Sequence, residues 1–172
     1  MTRYTRASIA CVATAILFTL SPCAAQTPAL VVDGEVGHRL ALSLDDLRAM
    51  THQRVDVEQQ GARVSYEGVL LNELLRSAGI DIGRAPLQGK ALVSVVFVTA
   101  SDGFQAVFTL GELDNASADR RPLLADARDG RPLAGNDGPL RLVVPGDRYP
   151  FRSVRQVVRL TVAQVSAPKP EP

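Results

Sequence analysis

Four arginines crowd the C-terminal third of the chain: Arg141, Arg148, Arg152 and Arg155 fall within 15 residues, interleaved with Pro145-Gly146 and Tyr149-Pro150-Phe151. A guanidinium offers a planar fork of donors that suits phosphate and carboxylate oxygens. A Pro-Gly loop can add backbone N–H groups facing the same anion. Two readings stand at this stage. Either the four form an anion site, or they are ordinary surface charges paired with Asp137 and Asp147, in a chain that favours arginine over lysine throughout.

Other chemistry is thin. No glycine-rich phosphate loop of dinucleotide or Walker type, no His-Glu-x-x-His and no Gly-x-Ser-x-Gly occurs. The two histidines, His38 and His52, fall near expected surface turns, with no second histidine at metal-ligand spacing, and read as exposed polar residues. Asn115, Ser117, Asp119 and Asp126 echo a calcium loop, but the central glycine is missing and Arg120-Arg121 intervene, so a solvated loop is the better reading.

The chain opens as an export signal. Arg3 and Arg6 precede a charge-free run from Ala7 to Leu20, and Cys23-Ala24-Ala25 supplies the small residues read at a cleavage site. The apolar run of about 14 residues is short of the roughly 20 needed to span a bilayer. Leu20-Ser21-Pro22-Cys23 resembles a lipobox that would lipidate Cys23, although proline is a poor fit before that cysteine. No paired arginines precede the run, so the signal reads as Sec-type and the expected location is periplasmic or secreted. Removing residues 1–25 of the 172 leaves 147. It takes away Arg3, Arg6 and no acid, turning a formal net charge of +1 into −1. A nearly neutral domain has no general field for nucleic acid or an anionic membrane. Both cysteines, Cys11 and Cys23, leave with the signal. The mature domain is then expected to have no disulfide, no cysteine-ligated metal and no thiol nucleophile.

The elements that must position the arginines are short and mixed. Leu30–Gly34 reads as a strand running into a turn, and Val36–Leu42 as a half-buried strand. Ser43 and Asp46 form a capping box ahead of Leu44, Leu47 and Met50 at helical spacing. Val55, Val57 and Val64, Tyr66 alternate around Gln60-Gly61-Ala62, which predicts a hairpin. Leu70, Leu71, Leu74 and Leu75 make the stripe of a short helix stopped by Gly79. Leu92–Thr99 is β-branched enough for a buried strand, and Ser101-Asp102-Gly103 turns it back along Phe104–Phe108. Thr109 and Glu112 suggest a second capping box. Leu123-Leu124-Ala125 and Pro132-Leu133 pair around Asp129-Gly130. Leu140–Val144 and Val157–Val165 are the last strands. Residues 26–165 thus read as one α+β domain, and Ser166–Pro172, with three prolines and two charges, as a disordered tail.

These pieces, in this order, resemble the molybdopterin-binding domain of the sulfite-oxidase type. The resemblance runs through Val32-Asp33-Gly34-Glu35-Val36, Leu42-Ser43-Leu44-Asp45-Asp46-Leu47, Tyr66-Glu67-Gly68-Val69-Leu70-Leu71 and the Ser101-Asp102-Gly103-Phe104 hairpin. It is closest at Asp129-Gly130-Arg131-Pro132-Leu133 and at Gly138-Pro139-Leu140-Arg141-Leu142-Val143-Val144-Pro145-Gly146. It implies a mixed α+β fold, β-rich around a pterin pocket, in which the segment beyond the Pro-Gly loop helps hold the pterin phosphate. Asp102 and Gly103 thereby join Arg141, Arg148, Arg152 and Arg155 as candidate ligand- or cofactor-binding residues.

The departures from the family pattern are informative. The family's molybdenum takes a cysteine thiolate after the strand corresponding to Val55–Glu58; here that stretch reads Glu58-Gln59-Gln60-Gly61. Glutamine is a poor substitute for a soft thiolate. Arg155 and Gln156 stand where the family tends to carry a lysine–tryptophan pair. A Sec-type signal also threads an unfolded chain, whereas enzymes of this kind are usually exported folded and loaded. The expectation is a domain without cofactor that binds a small anion or a periplasmic partner protein. The alternative is a molybdopterin oxidoreductase with Asp56, Glu58 or Gln59, or no protein group, on the metal.

Overall fold

The computed structural model describes residues 27–59, 61–83, 86–114, 121–147 and 149–166. The expected signal peptide, Arg148, the Asn115–Asp119 stretch and the tail beyond Ser166 lie outside them.

Two sheets carry the domain. The first has the order β2-β1-β10-β5-β6, built from β1 (Leu30–Gly34), β2 (Leu40–Leu42), β5 (Ser94–Ala100), β6 (Gln105–Thr109) and β10 (Val157–Gln164). Only the β1–β10 contact is parallel. The second joins β3 (Gln53–Gln59), β4 (Ala62–Leu70) and β7 (Leu123–Arg128). The far edge of β7 is shared end to end by β8 (Arg131–Pro132) and β9 (Arg141–Val143). Three short helices, α1 (Leu44–Ala49), α2 (Leu71–Ser77) and α3 (Leu110–Leu113), complete a mixed α+β domain dominated by sheet.

Local chemistry accounts for most element ends. Both expected capping boxes form: Ser43 with Asp46 opens α1, and Thr109 with Glu112 opens α3. Gly79, at φ +87°, closes α2 in a conformation that costs glycine little. The β3–β4, β5–β6 and β7–β8 hairpins fall where their turn residues predict.

Three expectations shift at their ends. Val36–Leu42 is not one strand: only Leu40–Leu42 pairs, because residues 35–38 bend to dock on the end of α2, with His38 N–H donating to the Ala78 carbonyl at 3.0 Å. Leu92 and Val93 precede β5 in a 3-10 turn, Gly89–Val93, rather than starting the strand. The Leu140–Val144 strand pairs only over Arg141–Val143, between Pro139 and Pro145, which cannot donate to a ladder.

The main core lies between the sheets and helices. It gathers Leu30 and Val32 of β1, Leu74 and Leu75 of α2, Val96 and Val98 of β5, and Leu160 and Val162 of β10. The second sheet contributes Leu124 and Leu142 to it and turns its other face to a smaller core of Val64, Tyr66, Leu123, Ala125 and Val143. Period-2 alternation along β9 decides the placement of Arg141. With Leu142 facing the main core, Arg141 and Val143 face the smaller one.

Candidate functional site

A cavity of about 780 Å³ opens over that smaller core. Val57, Val64 and Val143 make its apolar floor. Arg128, Asp137, Arg141 and Arg155 make a charged wall, and Gly146 and Pro150 lie at its edge. Each arginine arrives by a different route. Arg128 ends β7 beside the Asp129-Gly130 turn, and Arg141 lies on β9. Arg155 is held by an isolated antiparallel bridge to Arg141, next to the 2.7 Å bond from Leu142 N–H to the Val154 carbonyl.

One carboxylate ties the three together. Asp137 Oδ1 accepts from Arg141 Nη1 at 2.8 Å and lies 3.2 Å from Arg155 Nε, while its Oδ2 is 3.8 Å from Arg128 Nη1. Arg128 has a second partner, Asp129, at 3.5 Å. Arg141 and Arg155 thus share one negative charge between two positive ones. The Arg141 guanidinium lies 5.5 Å from the centre of the Tyr66 ring and that of Arg128 lies 6.0 Å away, a geometry in which the ring face attracts the cation. Arg141 is 5% exposed, and its Nε has no hydrogen-bond partner. A buried donor left unmade is costly, so Arg141 is a group in want of an acceptor.

Arg152 goes elsewhere. It donates to both oxygens of Asp147, from Nε at 3.0 Å and Nη2 at 2.9 Å, and to Glu112 Oε1 from Nη1 at 2.8 Å. Its guanidinium lies 4.8 Å from the Phe108 ring centre. Its hydrogen bonds to Asp147, outweighing burial, hold its pKa above the ordinary arginine range, with Glu112 adding to the effect. Burial alone would raise the Glu112 carboxyl, but hydrogen bonds from Arg152 and the Thr109 N–H outweigh it and lower its pKa. Arg152 is a clamp between α3 and the segment after β9, and the expectation that it approaches the cavity is corrected accordingly. The pairing of Arg141 and Arg155 with Asp137, and of Arg152 with Asp147, is the set of contacts that the surface-charge reading anticipated.

Asp102 and Gly103 form the tip of the β5–β6 hairpin. Asp102 Oδ1 accepts from the Phe104 N–H at 2.9 Å, and Gly103 has φ +87° with open space around it. Asp102 lines a second cavity of about 180 Å³ with Ala100, Phe104, Ser153 and Arg155. Arg155 borders both cavities. The expected exposed role holds for His38 but not for His52. Nδ1 of the His52 ring is 2.9 Å from the Met50 carbonyl and Nε2 is 3.2 Å from Asp126 Oδ2. Burial alone would lower its pKa, but these contacts outweigh burial and raise it. Asp126 is thereby a structural partner rather than part of a calcium loop.

Arg128 and Tyr66 are the site residues that the arginine spacing passes over, and Asp137 enters there only as a counter-ion in the surface-charge reading. The Asp129-Gly130 turn was the available signal for Arg128, since it puts that residue at a strand end beside β4.

A mixed α+β domain dominated by sheet, with short helices, matches the sulfite-oxidase-like molybdopterin-binding fold. Residues 21–170 match the family described as the oxidoreductase molybdopterin binding domain, and the chain belongs to that family. The crystal structure of the sulfane dehydrogenase SoxCD from Paracoccus pantotrophus shares the fold, with a TM-score of 0.59 and 22% identity. The alignment covers 77% of this chain and 37% of that one, so this chain spans little more than a third of its structural neighbour. No curated protein matches.

The donor set does not suit a thiolate-held molybdenum centre. No cysteine lies among the described residues, and no group of three or more His, Cys, Asp or Glu there is placed to hold a metal ion. The three local oxygen and amide candidates are poor substitutes for a soft ligand. Asp56 is held below its ordinary pKa chiefly by its hydrogen bond from Arg63. Gln59 Oε1 faces the Tyr66 hydroxyl at 3.4 Å. Glu58 is exposed on the edge strand.

Proposed function

We propose that the chain is an exported, cofactor-free member of its family whose cavity binds a small anion. The observation that carries this reading is the gathering of Arg128, Arg141 and Arg155 on one cavity wall around the single Asp137 carboxylate, with the buried Arg141 still one hydrogen-bond partner short. Export rests on the pattern of residues 1–25, and the absence of cofactor rests on the lining donors. Among the described residues, no helix is long and apolar enough to cross a membrane.

Thermal melting titrated with sodium sulfate or phosphate tests the proposal. A ligand that binds only the folded state stabilises by mass action, by about 2.7 kcal/mol at a hundredfold excess over Kd. The expected result is a saturable rise in melting temperature beyond that of sodium chloride at equal ionic strength, which controls for screening. Arg141→Met should abolish the rise. An equal rise in that variant overturns the anion site.

A second reading, a protein partner, has its own support. Tyr149 and Phe151 stack at 5.5 Å beside Pro150 on the cavity edge and are 56% and 77% exposed. Exposed aromatics are enriched at interfaces. Loss of the anion response on Arg141→Met, with no change on Phe151→Ser, favours the small anion over this reading.

A further inference from the structure

Asp137 already stands where an incoming anion would stand. Its carboxylate lines the cavity, binds Arg141 and Arg155, and reaches toward Arg128. Its hold on the rest of the protein is light. It ends a three-residue 3-10 turn, Gly135–Asp137, between β8 and β9. The turn is closed by two long backbone bonds, Asp137 N–H to the Ala134 carbonyl and Gly138 N–H to the Gly135 carbonyl, both 3.3 Å. A side-chain tether joins it to the arginine segment: Gln156 Nε2 donates to the Gly135 carbonyl at 3.2 Å. Gln156 itself has φ +50°, and its amide oxygen accepts from the Ser101 hydroxyl at 2.9 Å.

Resting on the anion-site reading, we infer that Asp137 is a displaceable internal counter-ion, an autoinhibitory contact that keeps the arginines in place and must yield them to the ligand. A carboxylate tethered beside its partners competes at an effective concentration in the millimolar range or above. An external anion succeeds only if it satisfies more donors than Asp137 does, and Arg128 Nη1, 3.8 Å from Asp137 Oδ2 and beyond hydrogen-bond distance, is the donor left for it to gain. Asp137 then sets the affinity threshold of the cavity. Were it instead a scaffold that aims the arginines, neutralising it would weaken binding, which is the opposite sign.

Isothermal titration with sodium sulfate, compared across the wild type, Asp137→Asn, Gln156→Asn and Glu58→Gln, tests this. Asp137→Asn should bind at least tenfold more tightly. Gln156→Asn shortens the tether by one methylene, retains a side chain that tolerates positive φ and changes no charge, so it should tighten binding severalfold. Glu58→Gln removes a negative charge from the cavity lining without freeing an arginine and should change affinity less than twofold. Unchanged or weaker binding by Asp137→Asn overturns the inference, as does an equal gain from Glu58→Gln. If Asp137→Asn does not fold, Gln156→Asn decides by the same sign. Failure of the anion site itself looks different: neither the wild type nor Asp137→Asn then binds. A silent wild type with a binding Asp137→Asn variant supports the counter-ion role.

Discussion

Replacing Arg152 and Arg155 by alanine, one at a time, separates a clamp from a cavity wall that sequence spacing makes look alike. Arg152 makes a two-pronged pair with Asp147, whose side chain is 12% exposed, a further bond to Glu112 and a contact with the Phe108 ring. A hydrogen bond to a charged group contributes about 1.5–3 kcal/mol when sheltered. The Glu112 arm, 38% exposed, is discounted to about 0.5 kcal/mol for screening, and the ring contact adds about 0.5–1 kcal/mol. Arg152→Ala should therefore cost roughly 2.5–4.5 kcal/mol, a fall in melting temperature of roughly 8–14 °C at about 3 °C per kcal/mol for a domain of this size. Arg155, 60% exposed with one ion pair, should cost under about 1 kcal/mol. Calorimetric melts of the two variants give the comparison directly. Titration adds a second signature. Because the folded pKa of Glu112 lies below its ordinary 4.5, its stabilisation is complete above that value and is lost as pH falls through the folded value. The deficit of Arg152→Ala should thus shrink below about pH 4.5. Equal melting temperatures for the two variants would refute the clamp.

Gly68→Ala should cost more than about 3 kcal/mol or prevent folding, because a Cβ there would lie 2.1 Å from the Leu124 carbonyl oxygen across the β4–β7 irregularity; circular dichroism melts report it. Gly103→Val should cost on the order of 1–3 kcal/mol, since its φ of +87° is strained for any side chain while the space around it is open; an unchanged melt contradicts the hairpin geometry. His52 should titrate above 6.5 by proton NMR and fall toward it in Asp126→Asn. Its stabilisation is complete below 6.5 and is lost as pH rises through the folded value, so a His52 value below 6.5 in the wild type contradicts the pair.

Much of the frame is legible in the sequence because short-range signals set it. Asp102-Gly103, Gln60-Gly61 and Asp129-Gly130 mark hairpins, and Ser43/Asp46 and Thr109/Glu112 mark helix starts. The site is less legible because its contacts cross strands. Tyr66, Arg128 and Arg141 meet only through the β4–β7–β9 pairing, over sequence distances that no local pattern reports. Arg152 and Arg155 look equivalent along the chain. The 3-10 turn Pro150–Arg152 ends before the bridge that pairs Arg155 with Arg141, so Arg152 leaves the chain toward α3 and Arg155 toward the cavity. The Val36–Leu42 stretch misleads for a related reason. Its weak alternation is real, but Gly37 packs against Gly79, where an added Cβ would lie 3.1 Å from the Gly79 Cα, so the chain bends before it can pair.

Native mass spectrometry of the full-length chain, expressed with molybdate in a bacterium that makes molybdopterin and purified from the exported fraction, tests the central claim most directly. The account predicts a species at the mass of the bare polypeptide, shifting by one sulfate or phosphate when that ion is added, with the shift absent in Arg141→Met. A dominant species carrying molybdenum and pterin would contradict it and make Asp56, Glu58 and Gln59 the residues to examine.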